Sequence, residues 1–212
     1  MPNYRCYRSY KIVGNYYTNY RVVGDHNSLV DLRNKIDYVC DRRESLIKNE
    51  FGSNWCGNLV NYLGGDWYNV GCRGTIMNQS LDTENGPENL IINVESAWHE
   101  LNGWRKFIEE KYSDIKFFYY SEGLSNYYET NDVEGIYFPQ RYILFYNMIP
   151  YYYSNSNVED LFTIIYSITK MKVDSVEKIE EVLSRYNELH KIEYKHYSTN
   201  ISFNIVNVVD NG

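Results

Sequence analysis

The residues of this chain best suited to metal or thiol chemistry are four cysteines and four histidines. Cys6, Cys40, Cys56 and Cys72 stand singly, with no Cys-x-x-Cys pair. His190 and His196 are six apart, which suits neither one helix face nor a zinc finger. With His26 and His99 elsewhere, neither a metal site nor a cofactor is expected. A thiol nucleophile needs an accessible, electropositive setting and a nearby base. Cys56, in Trp55-Cys56-Gly57, is the one candidate, and its plainer reading is a packed small residue. Cys40 falls on an apolar helical stripe and reads as a small buried hydrophobe. No GxSxG, P-loop, HExxH or GxGxxG signature occurs, so no catalytic residue is assigned. Paired carboxylates for glycoside chemistry stay open because their spacing is spatial; Glu109-Glu110 read as an ordinary exposed helix face.

Aromatic and acidic side chains carry the remaining signal. There are 24 tyrosines in 212 residues. Two readings stand: AT-rich codon usage, or an adhesive surface of large, rigid amphipathic rings. The formal net charge of −7 argues against general phosphate binding. Residues 1–50 carry nine Lys/Arg against six Asp/Glu, whereas residues 82–134 carry twelve Asp/Glu against four Lys/Arg. That acidic stretch is either a solvated face or a patch that meets a basic partner surface. Glu122, Tyr127, Tyr128, Glu129, Asp132, Glu134, Tyr151, Tyr152 and Tyr153 are the residues assigned to such a surface. The run Phe117-Phe118-Tyr119-Tyr120 invites a second reading, single-stranded nucleic acid stacked on a sheet, although no Lys/Arg set interleaves with it. Trp67 and Trp98 have two readings, buried anchors or exposed interface hot spots, and burial is the one expected.

These residues need elements to hold them. The pattern predicts a strand at Arg5–Val13, a tyrosine-rich connection to Asp25, and a helix from Ser28 to about Glu50 with Leu29, Leu32, Ile36, Val39, Cys40, Leu46 and Ile47 on its apolar side. A short helix at Trp55–Leu63, strands at Gly71–Leu81 and Asn89–Glu95, a helix at Trp98–Tyr112 and a strand at Ile115–Tyr120 follow. Ser125–Thr130 and Ile136–Tyr146 read as a further hairpin across Asn131-Asp132, with Pro139 marking the second as an edge or bulged strand. Pro150 and Tyr151–Tyr153 close that region. Two helices come next, the first capped by Asn157 and the second by an Asp174/Glu177 capping box. Ile192–Thr199 and Ile201–Val209 predict a terminal hairpin. The fold class is therefore α+β: a ferredoxin-like βαββαβ sandwich with an added β-hairpin, then a C-terminal helical hairpin plus short strands, divided as 1–150 and 151–212. The N-terminus MPNYRCYRSY has no apolar core of a secretory signal, no run approaches a membrane span, and the unpaired cysteines fit a reducing compartment, so a cytoplasmic protein is expected.

Several segments, in order, carry a resemblance. The start MPN with Gly14, Asp66-Trp67 followed by Gly74-Thr75, Ser96-Ala97-Trp98, and Glu122-Gly123 after an aromatic strand resemble the YubB-like ferredoxin-fold family of phage and plasmid proteins, over about residues 1–146. Ile76 and Met77 replace that family's usual lysine and second tryptophan, and His99 and Glu100 replace its prolines. The resemblance implies a ferredoxin-like sandwich of mobile-element origin and transfers no catalytic residue. With the acidic stretch and the missing signatures, the expectation is a non-enzymatic accessory protein. It would bind a host or element-encoded protein partner through an acidic, tyrosine-rich surface, one concrete form being steric inhibition of a host defence nuclease in the anti-CRISPR manner. The alternatives are the nucleic-acid module and an enzyme whose residues converge only in space.

Overall fold

The computed structural model describes residues 16–84, 86–190 and 201–210. The expected strands at Arg5–Val13 and Ile192–Thr199, together with Cys6 and His196, lie outside the described residues. Among the described residues the fold is mixed α+β, with six strands in one mixed sheet, three in a second sheet, and five α-helices. The chain divides into two compact units, Met1–Phe117 and Phe118–Gly212.

In the first unit, β1 (Tyr16–Val23) forms where a connection was expected. Tyr16, Thr18, Tyr20 and Val22 alternate inward along it, the two-residue period of a half-buried strand. Asp25 caps α1 (His26–Cys40) by accepting the Asn27 N–H at 2.9 Å, and Leu29, Leu32, Ile36 and Val39 bury one stripe. This helix stops about ten residues short of the expected end. Asn58, fully buried at the start of α2 (Cys56–Tyr62), explains why. Its Oδ1 accepts from Ser45 Oγ and the Ile47 N–H, and its Nδ2 donates to the Gly52 and Ser53 carbonyls, so one side chain satisfies a loop that would otherwise leave polar backbone unpaired.

Then come β2 (Gly74–Asp82), β3 (Asn89–Ser96) and α3 (Asn102–Lys111). β3 pairs antiparallel with both β1 and β2, so it lies between two strands that the helices separate in sequence. Met77 is the extra residue of a bulge in β2 and is 51% exposed. Gly74 is needed for packing: an added Cβ would lie 2.6 Å from Leu101 Cδ1 and 2.9 Å from the Glu95 carbonyl oxygen. The core is aromatic at its centre, with Tyr20, Trp104 and Phe117 ring centroids 5.6–6.2 Å apart. Tyr20 Oη donates to Glu100 Oε1 at 2.8 Å, and Arg105 Nε donates to the same oxygen at 3.2 Å, which ties α3 to β1 through a buried ion pair.

The unit boundary falls within β4 (Lys116–Gly123). In the second unit β4 pairs antiparallel with β5 (Tyr127–Thr130), which pairs in parallel with β9 (Asn207–Val208). The expected hairpin of 125–130 with 136–146 does not form. β6 (Gln140–Tyr146) is instead the middle strand of a second sheet, between β7 (Ile149–Ser154) and β8 (Ile201–Ile205), both antiparallel to it. Asp132 is the reason. Its carboxylate accepts the backbone N–H groups of Gly135, Ile136, Tyr137 and Phe138 at 2.7–3.2 Å, and the Arg141 guanidinium donates to the Asp132, Val133, Phe138 and Gln140 carbonyls. A charged clamp thus replaces the tight turn. Pro139 ends up just outside β6, where its missing N–H is harmless. Residues 150–153, expected to close the region, become β7, and residue 150, the expected domain boundary, falls inside it.

α4 (Val158–Thr169) and α5 (Ile179–His190) supply the apolar cover of the second sheet, with Leu161, Ile165, Ile179, Leu183 and Tyr186 packed on Leu144, Ile201 and Phe203. Asp174 pairs with Lys178 at 2.7 Å, and α5 starts only after a short turn over Val176–Lys178. Residues 201–205 pair with β6 and residues 207–208 with β5; the partner strand of the expected terminal hairpin, 192–199, lies outside the described residues.

Candidate functional site

Strand β4 sorts its aromatic side chains by parity. Phe117, Tyr119 and Ser121 are buried on one face, whereas Phe118, Tyr120 and Glu122 are half-buried on the other. Glu122 sits directly opposite Tyr128 in the β4–β5 ladder, which places the two side chains together on one face. The Tyr120 and Tyr128 ring centroids are 6.5 Å apart on the diagonal. Phe138 stacks on Tyr120 at 5.9 Å, and Phe145 lies 6.3 Å from Tyr128. From β7, Tyr152 Oη approaches Glu122 Oε1 at 3.5 Å, too long for a strong hydrogen bond. The result is a half-buried carboxylate among three phenols.

The electrostatics follow from that placement. Burial raises the Glu122 carboxyl above its ordinary value, against the smaller, opposing effect of the Tyr152 hydroxyl. Burial, then the Glu122 charge, pushes the Tyr128 phenol up to about 12. Burial also raises Tyr120 strongly, with Glu122, Tyr152 and Tyr128 adding to it. The Tyr120 hydroxyl is buried without a hydrogen-bond partner among the described residues. No ion pair to Glu122 forms among those residues either.

Next to Tyr152 the surface is apolar. Asn147 and Met148 connect β6 to β7 with φ of 50° and 64°, the two-residue turn whose twist suits a hairpin. Met148 is 79% exposed, Ile149 55%, Tyr151 45% and Tyr152 44%. β7 lies at the edge of its sheet.

Of the nine residues assigned to an interaction surface, the structure brings Glu122, Tyr128 and Tyr152 into one cluster. Tyr127, Glu134, Tyr151 and Tyr152 are exposed. Tyr128, Asp132 and Tyr153 are buried, which corrects the expectation for them: Tyr128 walls the cluster, Asp132 clamps its loop, and Tyr153 packs in the core under α4 and α5. Glu129 is occupied on both oxygens, by Tyr119 Oη and Tyr127 Oη at 2.6 Å each. Sequence reasoning missed Met148 and Ile149, and weighed Tyr120 only as a nucleic-acid ring. The available signal was Glu122 itself, one carboxylate two residues from Tyr120 on the same strand face.

Other expectations change too. Trp98 is 70% exposed and Trp67 half-buried, edge-on to Trp55 at 5.2 Å; the tryptophans buried in the core are Trp55 and Trp104. Cys56 is fully buried, and desolvation raises its thiol well above the usual value, opposite to what a nucleophile needs. The rings of Phe118 and Tyr120, the outward pair of the aromatic strand, are occupied by Tyr137 and Phe138.

No helix among the described residues is long and apolar enough to cross a membrane, and no group of three or more His, Cys, Asp or Glu there could hold a metal ion. No protein-family model matches the chain, and no curated protein does. A crystal structure described as an unknown protein from Galdieria sulphuraria aligns with 92% of this chain and 99% of its own at 8% identity. Its TM-score is 0.27, so this likeness carries no argument.

Proposed function

We propose that this chain is a non-enzymatic binding protein that docks a basic protein partner through the β6–β7 hairpin and the adjoining Glu122 cluster. The observation that carries this reading is the set of exposed side chains Met148 in the turn and Ile149, Tyr151 and Tyr152 on the edge strand, near a carboxylate that forms no ion pair among the described residues. Contiguous exposed apolar and aromatic groups on a monomer mark an interaction site, and tyrosine suits such a site because it gives large contact area with few rotors. An acidic surface steers a basic partner toward it.

The sandwich reading belongs to the same proposal. The element order β1-α1-β2-β3-α3-β4, with the short α2 inserted, and the position of β3 between β1 and β2 support a ferredoxin-like core. A YubB-like, mobile-element accessory protein of the host cytoplasm fits that core. Inhibition of a host defence nuclease by covering its basic surface is the concrete form we favour. The occupied rings of Phe118 and Tyr120 weigh against the nucleic-acid alternative, because stacked bases need free ring faces.

Affinity co-purification tests the reading. The tagged full chain is expected to retain a basic protein at low salt and to release it as salt rises. Loss of that partner in an Ile149→Asp, Tyr151→Ala double variant of unchanged melting temperature supports the hairpin as the contact. Equal retention by the variant contradicts it.

A further inference from the structure

We infer that the cluster of Glu122, Tyr120, Tyr128 and Tyr152 is a receptor for one arginine side chain of the partner. The inference rests on the binding reading above and adds the chemistry of the contact. Glu122 holds one weak hydrogen bond, at 3.5 Å from Tyr152 Oη, and no ion pair among the described residues, although it is half-buried. An isolated buried carboxylate is costly, and a cation is the group that relieves the cost. The exposed wall is the Tyr152 phenol ring, and a phenol face attracts a cation. Tyr152, 44% exposed, stands at the outer side of the cluster, where it can cover an incoming group.

Arginine fits better than lysine on three counts. Its guanidinium is planar, so it lies flat on a tyrosine face while its N–H fork meets both carboxylate oxygens. It is more weakly hydrated than an ammonium, so entering a half-buried site costs less water. It also brings five donors, enough to serve Glu122 and to point one at the acceptor side of the Tyr120 hydroxyl, which is buried without a partner among the described residues. Burial raises the Glu122 carboxyl, and a bound cation opposes that shift. Arginine binding therefore lowers its titration point and grows stronger as pH rises through it.

The test uses the full chain and four probes: N-acetyl-arginine amide, its lysine counterpart, its neutral citrulline counterpart, and chloride salt at matched ionic strength. Binding is read by tyrosine fluorescence and by carbon NMR of the side-chain carboxyls. The expected result is saturable binding of the arginine amide, about tenfold tighter than citrulline and tighter than lysine, as one charge-assisted contact predicts. It should come with a downward shift of one carboxyl titration. Glu122→Gln, nearly the same shape, is expected to erase both the preference and the shift while the protein stays folded by circular dichroism. Tyr152→Phe, which keeps the ring, retains most of the binding, and Tyr152→Ala loses it. Equal affinity for arginine and citrulline, no saturable binding, or an undiminished preference in Glu122→Gln overturns the inference. The outcomes separate from those of the broader reading: a partner held equally by wild type and Glu122→Gln removes the arginine receptor and leaves the docking surface. Arginine binding without any captured partner does the reverse.

Discussion

Glu122 differs from Asp132 and Glu129 in having little among the described residues to compensate it. Asp132 spends its carboxylate on four backbone N–H groups, and Glu129 is bonded by two tyrosine hydroxyls, so both are structural. Glu122 is half-buried with one distant donor among the described residues. Its titration is displaced upward in the folded state, so folding favours its protonated form. That stability is fully present below the unfolded carboxyl range near pH 4 and is lost as pH rises through the folded value. Tyr120, Tyr128 and Tyr152 face it, and burial moves the Tyr120 and Tyr128 phenols further from the acid range, so the acid-side dependence of this cluster is assigned to Glu122. Glu122→Gln is accordingly expected to melt higher than wild type at pH 7, with the gap closing by about pH 4. Calorimetry of the two proteins across that range checks it, and a gap that stays constant contradicts it. The sequence shows the carboxylate and the tyrosines but not this difference. Nothing in the order of residues tells that Asp132 turns back on its own loop while Glu122 is left waiting.

The β6–β7 hairpin sets a local rule against exposure. Asn147 tolerates the left-handed backbone its turn needs, but Met148 at φ 64° carries a long apolar side chain there, 79% exposed. A glycine would hold that turn with less strain, since the left-handed region costs an ordinary residue about 1–2 kcal/mol. Met148→Gly is therefore expected to stabilise the protein by roughly 1 kcal/mol and to weaken partner capture. Chemical denaturation and co-purification measure the two effects, and a stabilised variant with full capture would make the methionine incidental. Periodicity reads other elements well. The stripe Leu29, Leu32, Ile36 and Val39 locates α1, and the alternation of β3 locates that strand. Where periodicity fails, a distant side chain decides. The end of α1 depends on Asn58, and the separation of β5 from β6 depends on Asp132 and Arg141. β1 was legible in the alternation Tyr16, Thr18, Tyr20, Val22, but its run of tyrosines looks like surface until Tyr20 is seen wholly buried, bonded to Glu100.

Across the chain the two units carry different surfaces. In the first, the outer side of the sheet is an asparagine ladder: Asn19 Nδ2 donates to Asn93 Oδ1 at 2.7 Å, and Asn93 Nδ2 donates to Asn78 Oδ1 at 2.6 Å. Those amides bond one another across three strands, which fits a scaffold. The second unit holds the half-buried carboxylate, the phenols and the exposed hairpin. With a formal net charge of −7 and the acidic excess centred on residues 82–134, long-range attraction favours a basic partner. The sequence made the acidic excess legible through charge, and the α+β class through pattern. It did not reveal the proposed docking surface, because Met148 and Ile149 are ordinary residues until a turn thrusts them outward. The most direct measurement places a photo-reactive amino acid at position 149 of the full chain and maps the crosslinked peptides by mass spectrometry. The expected adduct joins position 149 to a peptide of one basic protein, contains or adjoins an arginine, and fades with rising salt and in Glu122→Gln. An absence of adducts, or adducts spread over many proteins and indifferent to both salt and Glu122→Gln, would contradict the central claim that this face grips a basic partner.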